Sequence, residues 1–572
     1  MWFGADKAQP RAGWRGFGWL WPYVRPHLRA LASVLTVALF ISVLSTLQPY
    51  LSKLIIDDAL LGRNFPLLVQ LSGLIVGLAV VAFAAGAVNR WHYTRVSGRI
   101  LFALREDVYA HLLALPPGFF RRRPVGDLVA RLDGDVAEVQ RFSTDTLLSA
   151  FNSILLLAVT AVIMALLSWR LALVAATVLP LQLLLRHKAR PWISSTTRSV
   201  REQASEVTHF LVETLGAVKA VQGAATEEWE RQRLADLNRS YLRRVLRQQL
   251  VGYASGGLSN VLSHCATAAV FIAGGYGVMQ GSLTVGTLVA FVAYMARGTN
   301  SALSLLNIYT AYQRAAVSLE RVEQLRAAPS HARIGTAVPV ADGDDPAGHL
   351  VLDHVTVRHD TGGRAVLDDA CLDIAAGSKI VICGDSGVGK TTLADALRGF
   401  VEIESGNIRL DGQDIAACPL QALRRRIVTI EAEPVMFRGS ILHNLRYGNF
   451  HAAEADLLDA ARRAGVDEVV SDLPEGYGTQ IGGGNGISAG QRQRIALARA
   501  LLADPLVLVL DEATSHLDPA ATASLHALID DHFAQRTRIV ITHAPQAVPR
   551  ADAVYELIAG RFHLRSHVPV HV

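Results

Sequence analysis

A glycine-rich run of eight residues in the second half of the chain has the spacing G-x-x-x-x-G-K-[ST]. An apolar, β-rich stretch, residues 379–383, precedes it, and a helical pattern follows. A strand, a glycine turn and a helix start gather backbone N–H groups and the positive end of a helix dipole, which suits phosphate oxygens. Lys390 would reach the β- and γ-phosphates of a nucleotide, and the Thr391 hydroxyl would ligate Mg2+. The predicted contacts are Gly384, Asp385, Ser386, Gly387, Val388, Gly389, Lys390, Thr391 and Thr392.

Two further segments end in side chains that suit the same chemistry. Residues 506–510 are wholly apolar, as in a strand buried on both faces of a parallel sheet, and Asp511 and Glu512 follow directly. Ligands bind at the carboxyl ends of such strands, so we expect Asp511 to hold Mg2+, mainly through water, and Glu512 to polarise an attacking water. A second strand pattern ends at His543, where a donor can bind a γ-phosphate. The alternatives are a helix cap for the acidic pair and a plain surface residue for the histidine.

The composition indicates that part of the chain lies in a membrane. Of the 572 residues, 51% are hydrophobic and only 18% charged, against roughly 25% charged in soluble domains, and the mean hydropathy is +0.28. The length alone favours two or more domains. The net charge of +5 is explained by arginines beside membrane spans, so we expect no nucleic-acid partner. The four cysteines have neither metal-binding nor disulfide spacing.

Six apolar stretches approach the ~20 residues that cross a bilayer. They are residues 31–50, 66–88, 146–169, 171–185, 250–278 and 284–308, of which the fourth is short and contains Pro180. The long connections 89–143 and 186–249 are rich in arginine, whereas 277–285 has no charge. The positive-inside rule therefore predicts that both termini and both long loops are cytoplasmic. A soluble, all-helical first half is the alternative.

The pattern changes after a Pro/Gly/Asp-rich segment, residues 327–349, which we interpret as a linker. From residue 350 onward short strand and helix patterns indicate an α/β domain. The predicted fold is therefore multi-domain. An all-α transmembrane domain of six helices with cytoplasmic loops covers residues 1–326, and an α/β P-loop nucleotide-binding domain covers residues 350–572.

Motifs along the whole chain resemble those of ABC transporters, specifically exporter half-subunits that fuse a membrane domain to an ATP-binding domain. The family signature has its counterpart in Ile487-Ser488-Ala489-Gly490-Gln491, and the D-loop in Ser515-His516-Leu517-Asp518. The loops of the membrane half are similar to the family's coupling regions around Phe119-Phe120, Gly126-Asp127 and Glu213-Thr214-Leu215-Gly216-Ala217-Val218-Lys219.

The resemblance implies a homodimer in the cytoplasmic membrane that holds two ATP molecules, with Mg2+, between its nucleotide domains. The signature residues Ser488, Ala489, Gly490 and Gln491 would complete the site of the opposite subunit. Catalysis would rest on Glu512, His543 as the switch histidine, and Lys390, and metal binding on Thr391 and Asp511. The residues expected to transmit motion to the helices are Phe120, Gly126, Asp127, Gly216 and Lys219. Membrane lipid and an exported substrate are the other expected partners.

Four positions depart from the family pattern. His359 stands where an aromatic residue stacks on adenine, and Ala489 replaces a glycine. Ala432 occupies the position of the Q-loop glutamine that touches Mg2+, with Glu431 and Glu433 as the available substitutes. Residues 481–486 lack the usual glutamate and are shortened, a form that is similar to exporters of lasso peptides of the microcin kind. Because the residues expected to carry catalysis are intact, we still expect ATP hydrolysis.

Polar residues inside spans tend to face a cavity or another helix. Asn260 and His264 share one face of the fifth span, and Arg297 and Asn300 lie on the sixth, so we expect these four to line a substrate cavity, with helix packing as the alternative. The leading hypothesis is an ATP-driven exporter of an amphipathic small molecule or modified peptide. The alternatives are a flippase for a lipid or lipid-linked glycan, and a nucleotide-gated regulator that transports little.

Overall fold

The computed structural model describes residues 18–121, 123–329, 348–358, 363–471, 473–482 and 487–567. The chain divides into two compact units. The first, which we call the helical unit, comprises the described parts of Met1–Tyr109 and Val129–Ala327. The second, the nucleotide unit, comprises the described parts of Ala110–Leu128 and Ala328–Val572. The segment Ala110–Leu128 therefore groups with the second half of the chain, although its sequence neighbours on both sides are in the helical unit.

Twelve α-helices precede the first strand in the described residues. They are α1 (Trp21–Val24), α2 (Leu28–Leu54), α3 (Phe65–Leu113), α4 (Pro117–Arg121), α5 (Val125–Ala130), α6 (Val136–Arg141), α7 (Leu147–Leu167), α8 (Trp169–Ala176), α9 (Val178–Gly216), α10 (Val218–Gly223), α11 (Glu227–Met279) and α12 (Val285–Arg326). Wider π-helical turns interrupt the series at Ile55–Leu60, Arg131–Asp135 and Phe142–Thr146.

Each of the six predicted spans lies on this helical series. Among the described residues, four continuous helical stretches are long and apolar enough to cross a membrane: Gly18–Leu60, Phe65–Leu113, Val125–Leu167 and Glu227–Met279. The fourth predicted span falls on a shorter apolar stretch, Trp169–Gln182, which covers α8 and the start of α9, and α12 contains the sixth from residue 285 onward. The α-helix is interrupted at Thr177, three residues before Pro180, because proline lacks the N–H that would bond back into that turn.

A dry core joins four helices of the helical unit. Met164 of α7, Leu171 of α8, Val270 of α11 and Phe291 of α12 are buried together. Gly274 of α11 permits a close approach here, because a Cβ there would lie 2.4 Å from Cδ1 of Leu288, which would have to shift. Close helix contact at a small residue is how membrane helices associate without a hydrophobic driving force.

The nucleotide unit alternates short strands and helices. Its strands are β1 (Leu350–Val357), β2 (Leu367–Ile374), β3 (Lys379–Cys383), β4 (Ser405–Leu410), β5 (Gln413–Asp414), β6 (Ile427–Glu431), β7 (Gly439–Ser440), β8 (Gln480–Ile481), β9 (Val507–Asp511), β10 (Thr537–Ile541), β11 (Ala553–Ile558) and β12 (Arg561–His567). Its helices after β3 are α13 (Lys390–Leu397), α14 (Leu420–Arg426), α15 (Ile441–Leu445), α16 (Glu454–Arg463), α17 (Val466–Ser471), α18 (Ala489–Ala503) and α19 (Pro519–His532).

Two main sheets build this unit. The first has the order β2-β1-β4-β5 and is antiparallel. The second has the order β12-β11-β3-β10-β9-β6, in which β11, β3, β10, β9 and β6 run parallel. Every residue of β3 and β9 is buried, as their largely apolar sequences predict. The carboxyl ends of β3, β10, β9 and β6 consequently meet at one edge of the sheet.

Candidate nucleotide-binding site

The glycine-rich run connects β3 to α13 as predicted. Gly384 and Gly389 have left-handed backbone angles, φ +148° and +117°, and neither has room for a side chain. A Cβ on Gly389 would lie 2.5 Å from Cγ1 of Val366, and one on Gly384 would lie 2.7 Å from the carbonyl oxygen of Leu557. Glycine is thus required here by both conformation and close approach. The turn ends at the amino end of α13, where free N–H groups favour an anion.

Lys390 is buried at the start of α13. Its ammonium group donates hydrogen bonds to the carbonyl oxygens of Gly384 and Asp385, at 2.8 and 2.9 Å. These bonds close the loop around the lysine and hold it below the turn. His543 Nε2 lies 3.4 Å from the same nitrogen, which places a second hydrogen-bonding group beside it.

Asp511 ends β9 and is buried, and its Oδ1 has no hydrogen-bond partner within the described residues. Burial raises the pKa of Asp511, and a hydrogen bond with Thr391 opposes that shift. The nearby carboxylates of Glu512 and Glu431 raise the pKa further. The unpaired carboxylate oxygen of Asp511 lies beside a hydroxyl and near other carboxylates. Such a set of oxygen atoms fits a hard divalent cation such as Mg2+.

Glu512 and His543 meet across the top of the sheet. Glu512 adopts a left-handed backbone, φ +52°, and its N–H bonds to the carbonyl of Ile541 at 3.0 Å. This pairing joins the ends of β9 and β10, so that Oε1 of Glu512 lies 2.8 Å from Nε2 of His543. With the Lys390 contact, the three residues predicted to carry catalysis form one chain of neighbouring polar groups.

The Q-loop continues from β6 beside this cluster. Glu431 pairs in register with Asp511, and Ala432 follows it. The buried Gln493 of α18 donates to the carbonyl oxygens of both Glu431 and Ala432, at 2.8 and 2.9 Å. Sequence reasoning missed Gln493, since its role depends on packing α18 against a strand end more than sixty residues away.

The signature residues begin α18. The Ser488 hydroxyl accepts from the N–H of Gln491 at 3.2 Å, and the Gln491 side chain accepts from the N–H of Ser488 at 2.8 Å, which is a capping box. Ala489 and Gly490 form the first turn. Within the described part of the chain, no hydrogen bond or ion pair joins this cap to Lys390, Asp511 or Glu512. His359 and residues 483–486 lie outside the described residues.

The residues predicted to line a substrate cavity lie on α11 and α12, and their role as a cavity lining stays a prediction. Arg297 contacts α2: its guanidinium donates to the carbonyl oxygen of Ser45 and, at 3.1 Å, to Oε1 of Gln48. Asn260 and His264 are exposed on α11, and Asn300 is exposed on α12. The Arg297 contacts explain how an arginine is tolerated in this helix, because carbonyl and amide oxygens satisfy its donors.

The predicted coupling residues occupy two separate segments. Phe120 of α4 packs edge-on against Phe119, with ring centroids 5.6 Å apart, and Gly126 and Asp127 lie in α5. All belong to the segment Ala110–Leu128, which groups with the nucleotide unit. Gly216 ends α9 and Lys219 lies in α10, both within the helical unit.

Two family models match this chain. The one described as ABC transporter transmembrane region matches residues 31–303, and the one described as ABC transporter matches residues 367–515. The two matches fall on the helical half and on the half that carries the glycine-rich turn. The two matches confirm the predicted fusion of a membrane domain, which comes first, to an ATP-binding domain.

Relatives match along nearly the whole chain. An uncharacterised ABC transporter ATP-binding protein of Bacillus subtilis, YknV, is 28% identical and covers 96% of this chain and 91% of its own length. An ATP-dependent lipid A-core flippase of Ralstonia nicotianae is 29% identical, covering 95% and 92%. The multidrug efflux ATP-binding/permease protein Rv0194 of Mycobacterium tuberculosis is 31% identical over 94% of this chain but only 45% of its own length.

A solved structure shares the fold. It is that of a bacterial Atm1-family ABC exporter with ATP bound, with a TM-score of 0.79. The alignment covers 94% of this chain and 95% of the other at 23% sequence identity, so the likeness concerns the fold alone.

Proposed function

The chain belongs to the ABC transporters and is an ATP-driven exporter, and on that premise we propose that it moves an amphipathic small molecule or a modified peptide out of the cell. The observation that carries the proposal is the cluster of Lys390, Asp511, Glu512 and His543 at one edge of the parallel sheet. It is joined in one chain to helices that are apolar enough to cross a membrane.

The cluster can bind ATP and promote its hydrolysis with a division of labour among its side chains. Lys390 and the N–H groups of the glycine turn would bind the phosphates, and Glu512 would orient the attacking water and accept its proton. His543, whose Nε2 lies 2.8 Å from the Glu512 carboxylate, would donate to the γ-phosphate. Thr391 and Asp511 would hold Mg2+, which when bound neutralises charge on the β- and γ-phosphates.

ABC exporter half-transporters generally function as dimers, and we propose a homodimer here. The capped start of α18 has free N–H groups, and within the described residues it makes no bond to its own chain's phosphate turn. A nucleotide on a second copy is the anion that this helix end would face. The long cytoplasmic arm formed by α9, α10 and α11 also exposes large apolar side chains, among them Trp192, Leu215 and Trp229, which suit burial against a partner.

We place the protein in the cytoplasmic membrane with both termini and the nucleotide unit in the cytoplasm. Support comes from the arginine-rich connections between spans and the uncharged connection 277–285. Surface labelling of single cysteines at Arg63 and Gln280 in intact cells would test the orientation. Labelling of both positions by a membrane-impermeant reagent is expected, and protection of both would reverse the topology.

Two kinds of cargo remain distinguishable by experiment. The lipid A-core flippase among the relatives supports the alternative that this chain flips a lipid or lipid-linked glycan. The shortened segment at 481–486 supports a modified, lasso-type peptide. The further alternative, a nucleotide-gated regulator, is supported only by Ala432 at the Q-loop position.

The deciding experiment is ATP hydrolysis by the protein in lipid nanodiscs, beside its Glu512→Gln variant, with and without candidate peptides. We expect the variant to lose at least about a hundredfold in turnover, because the amide cannot accept a proton. Stimulation by peptide supports peptide export, and stimulation by lipid alone supports the flippase. Equal, negligible turnover in both proteins would overturn the proposal.

A further inference from the structure

A cavity of about 370 Å³ lies inside the helical unit, between α2, α3 and the start of α7. Its apolar wall includes Val34 and Leu35 of α2 and Leu148 of α7. Its polar wall is formed by side chains from α3, from the turn that leads into α7 and from α7 itself. They are Asn89, Arg90, Tyr93, Asp145, Ser149 and Asn152.

The cavity lies at the cytoplasmic boundary of the membrane on the proposed topology. Asn89 and Arg90 directly follow the predicted span 66–88, and Asp145 directly precedes the predicted span 146–169. The charged side chains Arg90 and Asp145 are therefore at the depth of lipid headgroups of the inner leaflet. The lining residues of α7 and α2 extend toward the hydrocarbon.

Asp145 is a carboxylate without a counter-ion at this boundary. Its Oδ1 accepts a hydrogen bond from the Thr144 hydroxyl at 2.7 Å, and Gln140 donates to that hydroxyl at 2.6 Å. No cation lies within 4.0 Å of Asp145 among the described residues. An ionisable side chain beside a bilayer is costly unless it is paired, and a carboxylate fixed by a hydrogen-bond chain is poised to pair with a ligand.

The other polar groups complement a ligand that carries both charges. Arg90 is exposed on the same cavity, and within the described chain it forms no ion pair. Oδ1 of Asn89 is buried without a hydrogen-bond partner in that part of the chain. Asn152 accepts from the Ser42 hydroxyl at 2.9 Å through its amide oxygen, which leaves its NH2 group available as a donor.

We propose that this cavity binds the headgroup of a zwitterionic amphiphile entering from the inner leaflet. Its ammonium group pairs with Asp145, its phosphate or carboxylate pairs with Arg90, and its chain lies along Val34, Leu35 and Leu148. The inference rests on the proposed export function and defines its cargo more closely. A membrane phospholipid and a zwitterionic cargo share this chemistry, so the test includes one of each.

The experiment is native mass spectrometry of the full-length protein in detergent, without nucleotide. The probes are lysophosphatidylethanolamine, the acylated amino acid Nε-lauroyl-lysine with its free amine and carboxylate, and the anionic lysophosphatidylglycerol. We expect at least one zwitterion to bind about tenfold more tightly than the anionic lipid. Tighter binding of lysophosphatidylethanolamine would identify the ligand as a membrane phospholipid, and tighter binding of Nε-lauroyl-lysine would identify it as a zwitterionic cargo.

Three variants make the result specific. Asp145→Asn is expected to lose about tenfold in zwitterion affinity, and Arg90→Gln, at an exposed side chain, is expected to reduce it while leaving the fold intact. Asp58→Asn, an exposed carboxylate outside the cavity, is the matched control and should bind as the parent does. Unchanged zwitterion binding in both Asp145→Asn and Arg90→Gln, or equal binding of all three probes to the parent, would overturn the proposal. Because no ATP is present, failure here is separate from failure of the hydrolysis test.

Discussion

At the scale of single residues, Ala432 occupies the position of the family's Q-loop glutamine, and Glu431 is the side chain best placed to take over that role. It pairs in register with Asp511, and paired residues of parallel strands leave the sheet on the same face. Its negative charge is felt at Asp511, whose pKa it raises. Gln493 donates hydrogen bonds to the backbone carbonyls of both Glu431 and Ala432, which holds the end of β6 in this position.

We therefore expect Glu431→Ala to weaken divalent-metal binding by about tenfold. The measurement is Mn2+ titration by electron paramagnetic resonance in the Glu512→Gln background with ATP, alongside the Mg2+ dependence of hydrolysis in the active protein. Glu433→Ala is the matched control, and it should change the metal affinity little. Equal losses in both variants, or no loss in either, would remove Glu431 from the metal site.

A comparison of two glycines in the phosphate turn distinguishes the effect of backbone strain from the effect of lack of space. Gly389 and Gly387 both have positive φ, but a Cβ on Gly389 meets Val366 at 2.5 Å whereas one on Gly387 meets nothing within 4 Å. Gly387→Ala should therefore cost about 1 kcal/mol of folding free energy, and Gly389→Ala clearly more, with loss of ATP binding. Thermal unfolding and binding of a fluorescent ATP analogue would check this ranking, which equal effects would contradict.

At the scale of elements, the largely apolar runs at 379–383 and 506–510 predict strands. The strands found there, Lys379–Cys383 and Val507–Asp511, are buried at every residue. Such runs are local, so one segment suffices to find them. The position of β10 between β3 and β9, which brings His543 to Glu512, depends on pairing between distant segments. The register of Glu431 with Asp511 and the contacts of Arg297 with α2 are non-local in the same way, and no motif marks them.

The helix α19 buries a histidine that makes the nucleotide unit sensitive to acid. His526 is 1% exposed, and neither ring nitrogen has a hydrogen-bond partner among the described residues. Burial lowers the pKa of His526, the nearby Lys379 lowers it further, and Asp530 opposes the shift. The folded chain therefore holds the neutral ring, and the unfolded chain binds the extra proton at low pH.

Because the unfolded chain binds more protons than the folded chain, we expect the free energy of unfolding to fall as the pH drops below about 6.5, the ordinary pKa of histidine. The variant His526→Leu should reduce the difference in melting temperature between about pH 7.5 and about pH 5.5, because it removes the group that titrates. His532→Leu, near the end of the same helix, is the control. Scanning fluorimetry of the full protein in nanodiscs would measure both, and an unchanged pH dependence in His526→Leu would contradict the prediction.

At the scale of the whole molecule, export requires that helix ends part on the side facing away from the cytoplasm. On the proposed topology, Asp57 joins two such ends, because its carboxylate accepts from the N–H of Gly286 at 2.8 Å and from the Thr284 hydroxyl at 2.5 Å. It thereby caps the start of α12 from the turn that follows α2. Gly286 permits the approach, since a Cβ there would lie 2.6 Å from the carbonyl oxygen of Lys53.

The Asp57 contact has to break whenever these ends separate, so its strength sets part of the balance between inward and outward states. Loss of a capping carboxylate costs about 1 kcal/mol, which corresponds to roughly a fivefold change in the ratio of two states. We expect Asp57→Ala to raise the ratio of outward-open to inward-open molecules by that factor, seen as a larger share of long distances between spin labels at Arg63 and Gln280. Asp58→Ala removes an exposed neighbouring carboxylate and should leave the distances as in the parent. If both variants give the parent's distances, the cap does not hold the outer ends together, and the barrier to opening lies elsewhere between the helices.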